Sequence, residues 1–218
     1  MDGKIKVAVV DGKITDEAIG GIMRRAGEIA QRVEYGVICF DWAMDQLQRI
    51  IEGRLSVPLD FPVWKTIKLG TYKSIKDLQE ASGKAGYNIV GLAIDLLKQP
   101  AFAISLIETN LDLVVVSGRE LGLPKITTHQ KIYERAFKQR LSLCPNEVGP
   151  QLRLQYPDQP MPECLFIAME TITCSTTGFG VFSVTHSKIG LLLDGIYGCP
   201  DSVCHADDRW IFTRPRSK

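Results

Sequence analysis

A chain of 218 residues with 45% hydrophobic and 23% charged side chains has the composition of an ordinary globular protein and can bury a core without disulfide or metal staples. Its 26 basic and 25 acidic residues leave a net charge of +1, so a nucleic acid partner is not favoured, because phosphate neutralisation calls for a basic excess. No apolar run approaches the roughly 20 residues of a bilayer span, which argues against a membrane partner.

The first residues, Met1 to Val10, contain no long apolar core and no small-residue cleavage site, so the expected location is cytoplasmic. There the six cysteines, Cys39, Cys144, Cys164, Cys174, Cys199 and Cys204, are expected as reduced thiols. Residues 4–10 read as a short strand or an N-terminal extension, closed by Asp11-Gly12. Thr15-Asp16-Glu17 reads as a helix start. Apolar residues then recur at steps of three and four: Ile19, Ile22, Ala26, Ile29, Val33, Val37, Phe40, Met44, Leu47 and Ile51. The pattern predicts either one long helix over 16–53 or two helices broken near 34–41, with Asp41 as a candidate cap. Packing within the chain is the favoured role of this seam. A homo-oligomer through helices 19–51 is the alternative.

Pro58, Pro62 and Gly70 mark a passage into a second module, in which Lys65 to Leu69 alternates as a strand. Ser74 opens a helix that Gly83 and Gly86 end, and Ile89 to Leu97 reads as helical up to Pro100. Residues 101–107 and 111–117 read as strands with Thr109-Asn110 between them. Leu111 to Val116 has the run expected of a strand covered on both faces. Thr127 or Thr128 caps a helix reaching about Leu141, and Pro145, Gly149 and Pro150 end that region. Gln151 to Tyr156 alternates strictly and predicts a half-buried strand. Four more strands are expected over 163–170, 180–186, 189–196 and 209–213. The expected fold is α+β: an N-terminal helical element, residues 1–57, then a mixed domain, 58–218, with a mainly antiparallel C-terminal sheet.

The segment Cys144-Pro145-Asn146-Glu147-Val148-Gly149-Pro150-Gln151-Leu152-Arg153-Leu154-Gln155-Tyr156, followed by Asp158-Gln159-Pro160, resembles a recurrent block in uncharacterised bacterial hypothetical proteins. Ile132 to Ala136, Asp112 to Ser117 and Trp64 to Thr71 resemble the same family, so the likeness spans roughly residues 64–170. It implies no activity, because none is known for that family. Such proteins typically carry Gly-Glu-Trp or similar after the Asp-Gln-Pro. This chain has Pro162-Glu163-Cys164 instead.

Candidate chemistry is sparse. Cys199, Cys204 and His205, joined from neighbouring strands by Cys174 and His186, are the candidate zinc ligands. The ordinary reading, packed or loop cysteines beside a surface histidine, outweighs it. A cysteine nucleophile needs a nearby imidazole, and only His129, His186 and His205 are on offer. Asp194, Asp201, Asp207 and Asp208, and Glu163 with Glu170, are carboxylate clusters that turn chemistry explains as well. Neither GxxxxGK[ST] nor GxGxxG is present, although Ser117-Gly118-Arg119 follows the best strand, where α/β sites gather. Residues 194–209 read as a long loop bearing Tyr197, Asp201, His205, Asp207 and Arg209, with Trp210 opening the last strand. Ligand recognition by that loop stands level with a plain connector whose Trp210 packs in the core. The function expected is a non-enzymatic binding or interaction module for an unknown macromolecular partner or small ligand. The alternatives are an enzyme with a site near Ser117–Arg119 or at Cys144, Arg153 and Glu170, or a zinc protein.

Overall fold

The computed structural model describes residues 9–10, 13–14, 16–51, 61–175 and 178–214. The chain divides into two compact units, Met1–Arg54 and Leu55–Lys218. The expected strand over 4–10 falls largely outside the described residues; within them, β1 (Val9–Val10) pairs antiparallel with β2 (Lys13–Ile14).

Two helices follow, α1 (Asp16–Glu34) and α2 (Phe40–Ile51). Gly36 decides between one helix and two. It adopts φ 67°, a left-handed conformation that a side chain disfavours. Its N–H donates to Val33 O, and the Val37 N–H reaches back to Arg32 O at 2.8 Å. This Schellman pairing satisfies the last carbonyls of α1 and stops it. Asp41 lies inside the first turn of α2 rather than at its cap. Large apolar side chains on this unit, among them Ile22, Met23, Phe40 and Met44, are exposed.

The second unit contains β3 (Lys65–Leu69), α3 (Ile75–Lys84), β4 (Asn88–Ile89), α4 (Leu92–Leu96), β5 (Thr109–Ser117), β6 (Ile126–Thr128), α5 (His129–Lys138), α6 (Val148–Gln155), β7 (Glu163–Ile167), β8 (Ile172–Cys174), β9 (Gly178–Ser187), β10 (Gly190–Tyr197), β11 (Val203–His205) and β12 (Arg209–Thr213). An eight-stranded sheet runs in the order β3-β5-β12-β7-β9-β10-β4, with β8 added beside β9. Its pairs are antiparallel except β12–β7 and β10–β4. The α+β architecture with a mainly antiparallel C-terminal sheet is therefore the one the sequence leads to. A separate two-stranded ribbon joins β11 to β6.

Both faces of the sheet are covered, because successive residues of one strand are buried: Trp210, Ile211 and Phe212 are all fully enclosed. Register assigns the faces. Trp210 sits opposite Phe166, and Phe166 opposite Ser183, so Phe182, one residue before Ser183, points the other way. Tyr133 of α5 packs on Trp210 and Phe212, while α6 lies on the Phe182 face through Gly149. Leu92 and Leu96 of α4 join that second face against Gly180 and Gly195. Caps match the chemistry: Ser74 Oγ accepts from Asp77 N, and Thr128 Oγ1 accepts from Lys131 N.

Several local expectations are corrected. Gln151 to Tyr156 is not a strand but the body of α6 with the residue that follows it, and Gly149 and Pro150 lie in the first turn of that helix rather than ending one. Proline is tolerated there because its missing N–H would have had no intrahelical partner. Residues 101–107 form a loop, not a strand, and Leu106 and Ile107 are 89% and 74% exposed. Thr109 and Asn110, read as a turn, belong to β5. The helix expected over 89–97 is confined to Leu92–Leu96, because Asn88–Ile89 pairs with β10 and Gly91 breaks the backbone at φ 53°.

The helix–sheet contact at Gly149 is testable. A Cβ there would lie 2.7 Å from Phe182 Cβ. Glycine to alanine in a helix ordinarily stabilises by about 0.5–1 kcal/mol. Here the clash should reverse the sign, and Gly149→Ala is expected to destabilise by about 1–3 kcal/mol, read as a lower denaturation midpoint in urea.

Candidate functional site

The residues of the 144–160 segment assemble into one buried polar framework. Along α6 and its preceding residue, Glu147, Gln151 and Gln155 are spaced four apart and share a helix face. Glu147 is almost fully buried. Its carboxylate accepts from Gly70 N at 3.0 Å, Ser105 N at 2.8 Å and Gln151 Nε2 at 2.8 Å. Gln151 exchanges hydrogen bonds with the Thr71 hydroxyl. Gln155 accepts from Lys68 N at 2.9 Å and donates to Lys68 O at 2.8 Å. Asn146 clamps the other end of the 101–108 loop, donating to Ala101 O and accepting from Ala103 N. Three N–H donors stand in for water around a buried carboxylate that has no ion pair among the described residues, which is how such a charge is tolerated.

A second polar group lies beside it. The buried Arg153 guanidinium donates to the Gln159 side chain and to the Tyr156 carbonyl, and stacks 5.0 Å from the Tyr87 ring centroid. Gln159 passes the contact on, donating to Val184 O at 3.0 Å, and its own carbonyl lies 2.6 Å from His186 Nδ1. The Tyr156 hydroxyl donates to Glu163 Oε2 at 3.1 Å, and the largely buried Glu163 also binds Arg209. Desolvation, helped by Glu163, pushes the Tyr156 phenol up to about 12. Lys65 Nζ lies 4.7 Å from the Tyr156 ring, and Trp64 packs on it T-shaped at 5.1 Å. Each of these residues is bonded to another of them or to backbone, so the arrangement ties segments together, while Arg153 Nε has no hydrogen-bond partner among the described residues.

The residues singled out as chemistry are not brought together. Cys199, Cys204 and His205 do not form a zinc site: Cys204 faces inward toward the Thr127 carbonyl while His205, its strand neighbour, faces out, as alternation on β11 requires. Among the described residues no three His, Cys, Asp or Glu side chains converge to hold a metal ion. Cys174 is buried on β8, and His186 meets the Gln159 carbonyl. Cys144 does not have the setting of a nucleophile, because it is enclosed against Ile211 O and burial pushes its thiol well up. Arg153 is engaged with Gln159 and Tyr156, and Glu170 is exposed. Ser117 closes a turn on Glu120, Gly118 fits against Ala206, and Arg119 pairs with Asp207 at 2.7 Å.

The 194–209 stretch is not one loop. It comprises the end of β10, a short turn over 198–202, and β11. Tyr197, Asp201, His205 and Asp207 are exposed, and Arg209 is tied to Glu163. Trp210 is not available to a ligand, because it is fully enclosed between His129, Tyr133 and Phe166. Cross-strand pairing puts Val203 beside Thr128 and His205 beside Ile126 on the outward face of the ribbon, while Thr127 and Cys204 face in. Val203 is 69% and Ile126 61% exposed, and Tyr197 at the end of β10 is 57% exposed.

An open cleft of about 510 Å³ is lined by Thr71, Tyr72, Lys84, Gln151, Leu154 and Gln155 among others. Its amide groups are already spent on Thr71 and Lys68, leaving Lys84 and Tyr72 as its remaining polar groups.

The fold and the polar framework define an α+β protein with a helical N-terminal unit. In comparisons with known proteins, no family model, no curated protein and no solved structure matches the chain. No helix among the described residues is long and apolar enough to cross a membrane.

The framework predicts its own weak point. Glu147→Gln would turn an amide NH₂ toward backbone N–H donors and leave a buried group unpaired, so a loss of about 1–3 kcal/mol is expected. Hydrogen exchange should quicken first at Gly70 and Ser105. Unchanged protection at both amides would show that Glu147 does not anchor them.

Proposed function

We propose that the protein is a non-enzymatic binding module whose contact surface is the β6–β11 ribbon with the neighbouring end of β10. The observation that carries this reading is the outward placement of Ile126, Val203 and Tyr197, three large apolar side chains exposed on ordered secondary structure. Apolar surface of that kind on a rigid support is characteristic of contact sites. His205 and Asp201 supply polar groups around it, and Arg209 acts behind it by fixing Glu163. The partner is a macromolecule or small ligand received by this surface. Self-association belongs to the same proposal: the exposed Ile22, Met23, Phe40 and Met44 of α1 and α2 would pair two chains through the helical seam. The resemblance of residues 144–160 to bacterial hypothetical proteins is likewise proposed as kinship, and it brings no activity with it.

The test is site-specific photo-crosslinking in cells from positions 126 and 203, with position 131 on α5 as control. Adducts from the first two positions are expected, to be lost in Val203→Asp and in Tyr197→Ala while the thermal midpoint stays within about 2 °C, as surface substitutions usually allow. Adducts from position 131 alone, or none from 126 and 203, would overturn the reading. Light scattering of the purified chain, with and without Phe40→Ser and Met44→Ser, tests the helical seam separately.

A further inference from the structure

We propose that His129 is a pH-operated latch that holds the β6–β11 ribbon on the sheet while its imidazole is neutral and releases the ribbon when it is protonated. The proposal concerns regulation of the surface named above and rests on that reading only for its biological consequence.

His129 is the first residue of α5 and is buried. Its ring meets Trp210 at a centroid distance of 4.7 Å in a T-shaped contact, and its Nδ1 has no hydrogen-bond partner among the described residues. The backbone around it carries the closure. The N–H of His129 donates to Ser202 O, that of Gln130 to Pro200 O, and that of Lys131 to the Thr128 hydroxyl. Thus the turn before β11 covers the amino end of α5, and Thr127, two residues earlier, pairs with Cys204 of β11. One imidazole therefore sits where the ribbon, the turn over 198–202 and α5 all meet the core.

Protonation is opposed there by two fixed features. An imidazolium would bring a buried N–H with no acceptor into an aromatic pocket. It would also place positive charge at a helix amino end, where the macrodipole is already positive. Asp208, in the turn before β12, is the charged group that favours protonation, and it is partly engaged by the His205 N–H. The other titratable groups of the cluster are neutral over the relevant range: burial pushes Cys204 up to about 12 and Tyr133 higher still. Asp207, beyond Asp208, is paired with Arg119. Desolvation outweighs Asp208, so the imidazole lies below its ordinary value of 6.5. The sign follows. The folded site binds fewer protons than an opened one, so closure is complete above the ordinary histidine value and weakens as pH falls through the lowered one.

The experiment uses the full chain. Amide hydrogen exchange is measured at about pH 7.5 and about pH 5, corrected for intrinsic rates, in wild type and in His129→Phe, with His129→Gln as a second neutral variant. Opening of residues 126–131 and 200–206 is expected to rise at the lower pH in wild type, by roughly tenfold for each pH unit travelled between the ordinary histidine value and the lowered one, and to level off below the lowered one. β9 and β10 should keep their protection, and both variants should lose the pH dependence. Equal protection at the two pH values, or the same increase in the neutral variants, would falsify the latch. Crosslinking from position 203 separates the two ideas: a ribbon that opens with pH but captures nothing leaves the latch standing and removes the binding reading.

Discussion

The fold of the second unit turns on a buried carboxylate. Glu147 stands immediately before α6, in the position where a side chain usually caps its own helix, yet it makes no such bond. It reaches outward instead, taking the N–H groups of Gly70, just past β3, and Ser105, in the loop before β5. One side chain thus joins three segments far apart in sequence. Gly70 adopts φ 71°, and a Cβ there would lie 2.4 Å from the Ile107 carbonyl oxygen, so the close approach that Glu147 enforces also requires glycine. Arg153 plays the reciprocal part near the far end of α6, donating to Gln159 and the Tyr156 carbonyl. An acid at the amino end and a base in the last turn is also the order that the helix dipole favours.

The opposite face is held by different means. Trp210 is packed by His129, Tyr133 and Phe166, and Tyr133 extends the cluster to Phe212 and Phe137. The interlocking T-shaped rings suit the quadrupoles of aromatic side chains. The Tyr133 hydroxyl is the polar link, shared with the backbone of Met169. One face is therefore a network of directional hydrogen bonds and the other an aromatic stack, in which the His129 imidazole is the ring with the most to lose on charging.

Lys65–Leu69, which alternates between water and core, and Arg209–Thr213, an apolar run buried on both faces, have the expected bounds, and Ser74 and Thr128 cap their helices as hydroxyls should. The misreading of Gln151 to Tyr156 has a clear physical cause. Alternation implies a strand only if the polar residues face solvent, and here Gln151 and Arg153 are buried and bonded. The competing signal was present as Glu147, Gln151 and Gln155 at helical spacing, but three polar residues in a row look like a solvated stripe until their partners on β3, just after it and in the loop before β5 are known. The 101–107 stretch failed for the converse reason: Leu106 and Ile107 are apolar and exposed. Among the candidate site residues, Tyr197 and His205 are exposed, whereas the depth of Trp210 and the divergence of Cys204 from His205 depend on register, which composition does not encode.

Gln155 has one more consequence. Among the described residues β3 is the outermost strand on its side of the sheet, and a terminal strand offers its unpaired backbone as a template on which another chain can polymerise. The Gln155 carboxamide bonds to both the N–H and the carbonyl of Lys68, the same pair of bonds that an incoming strand would make. A side chain thus imitates the neighbour that β3 lacks and occupies the place where edge-to-edge growth would begin. At the other border the terminal strand, β4, pairs over only Asn88 and Ile89, too short to guide such growth. The sheet stays finite because one border is plugged by an amide and the other is cut short.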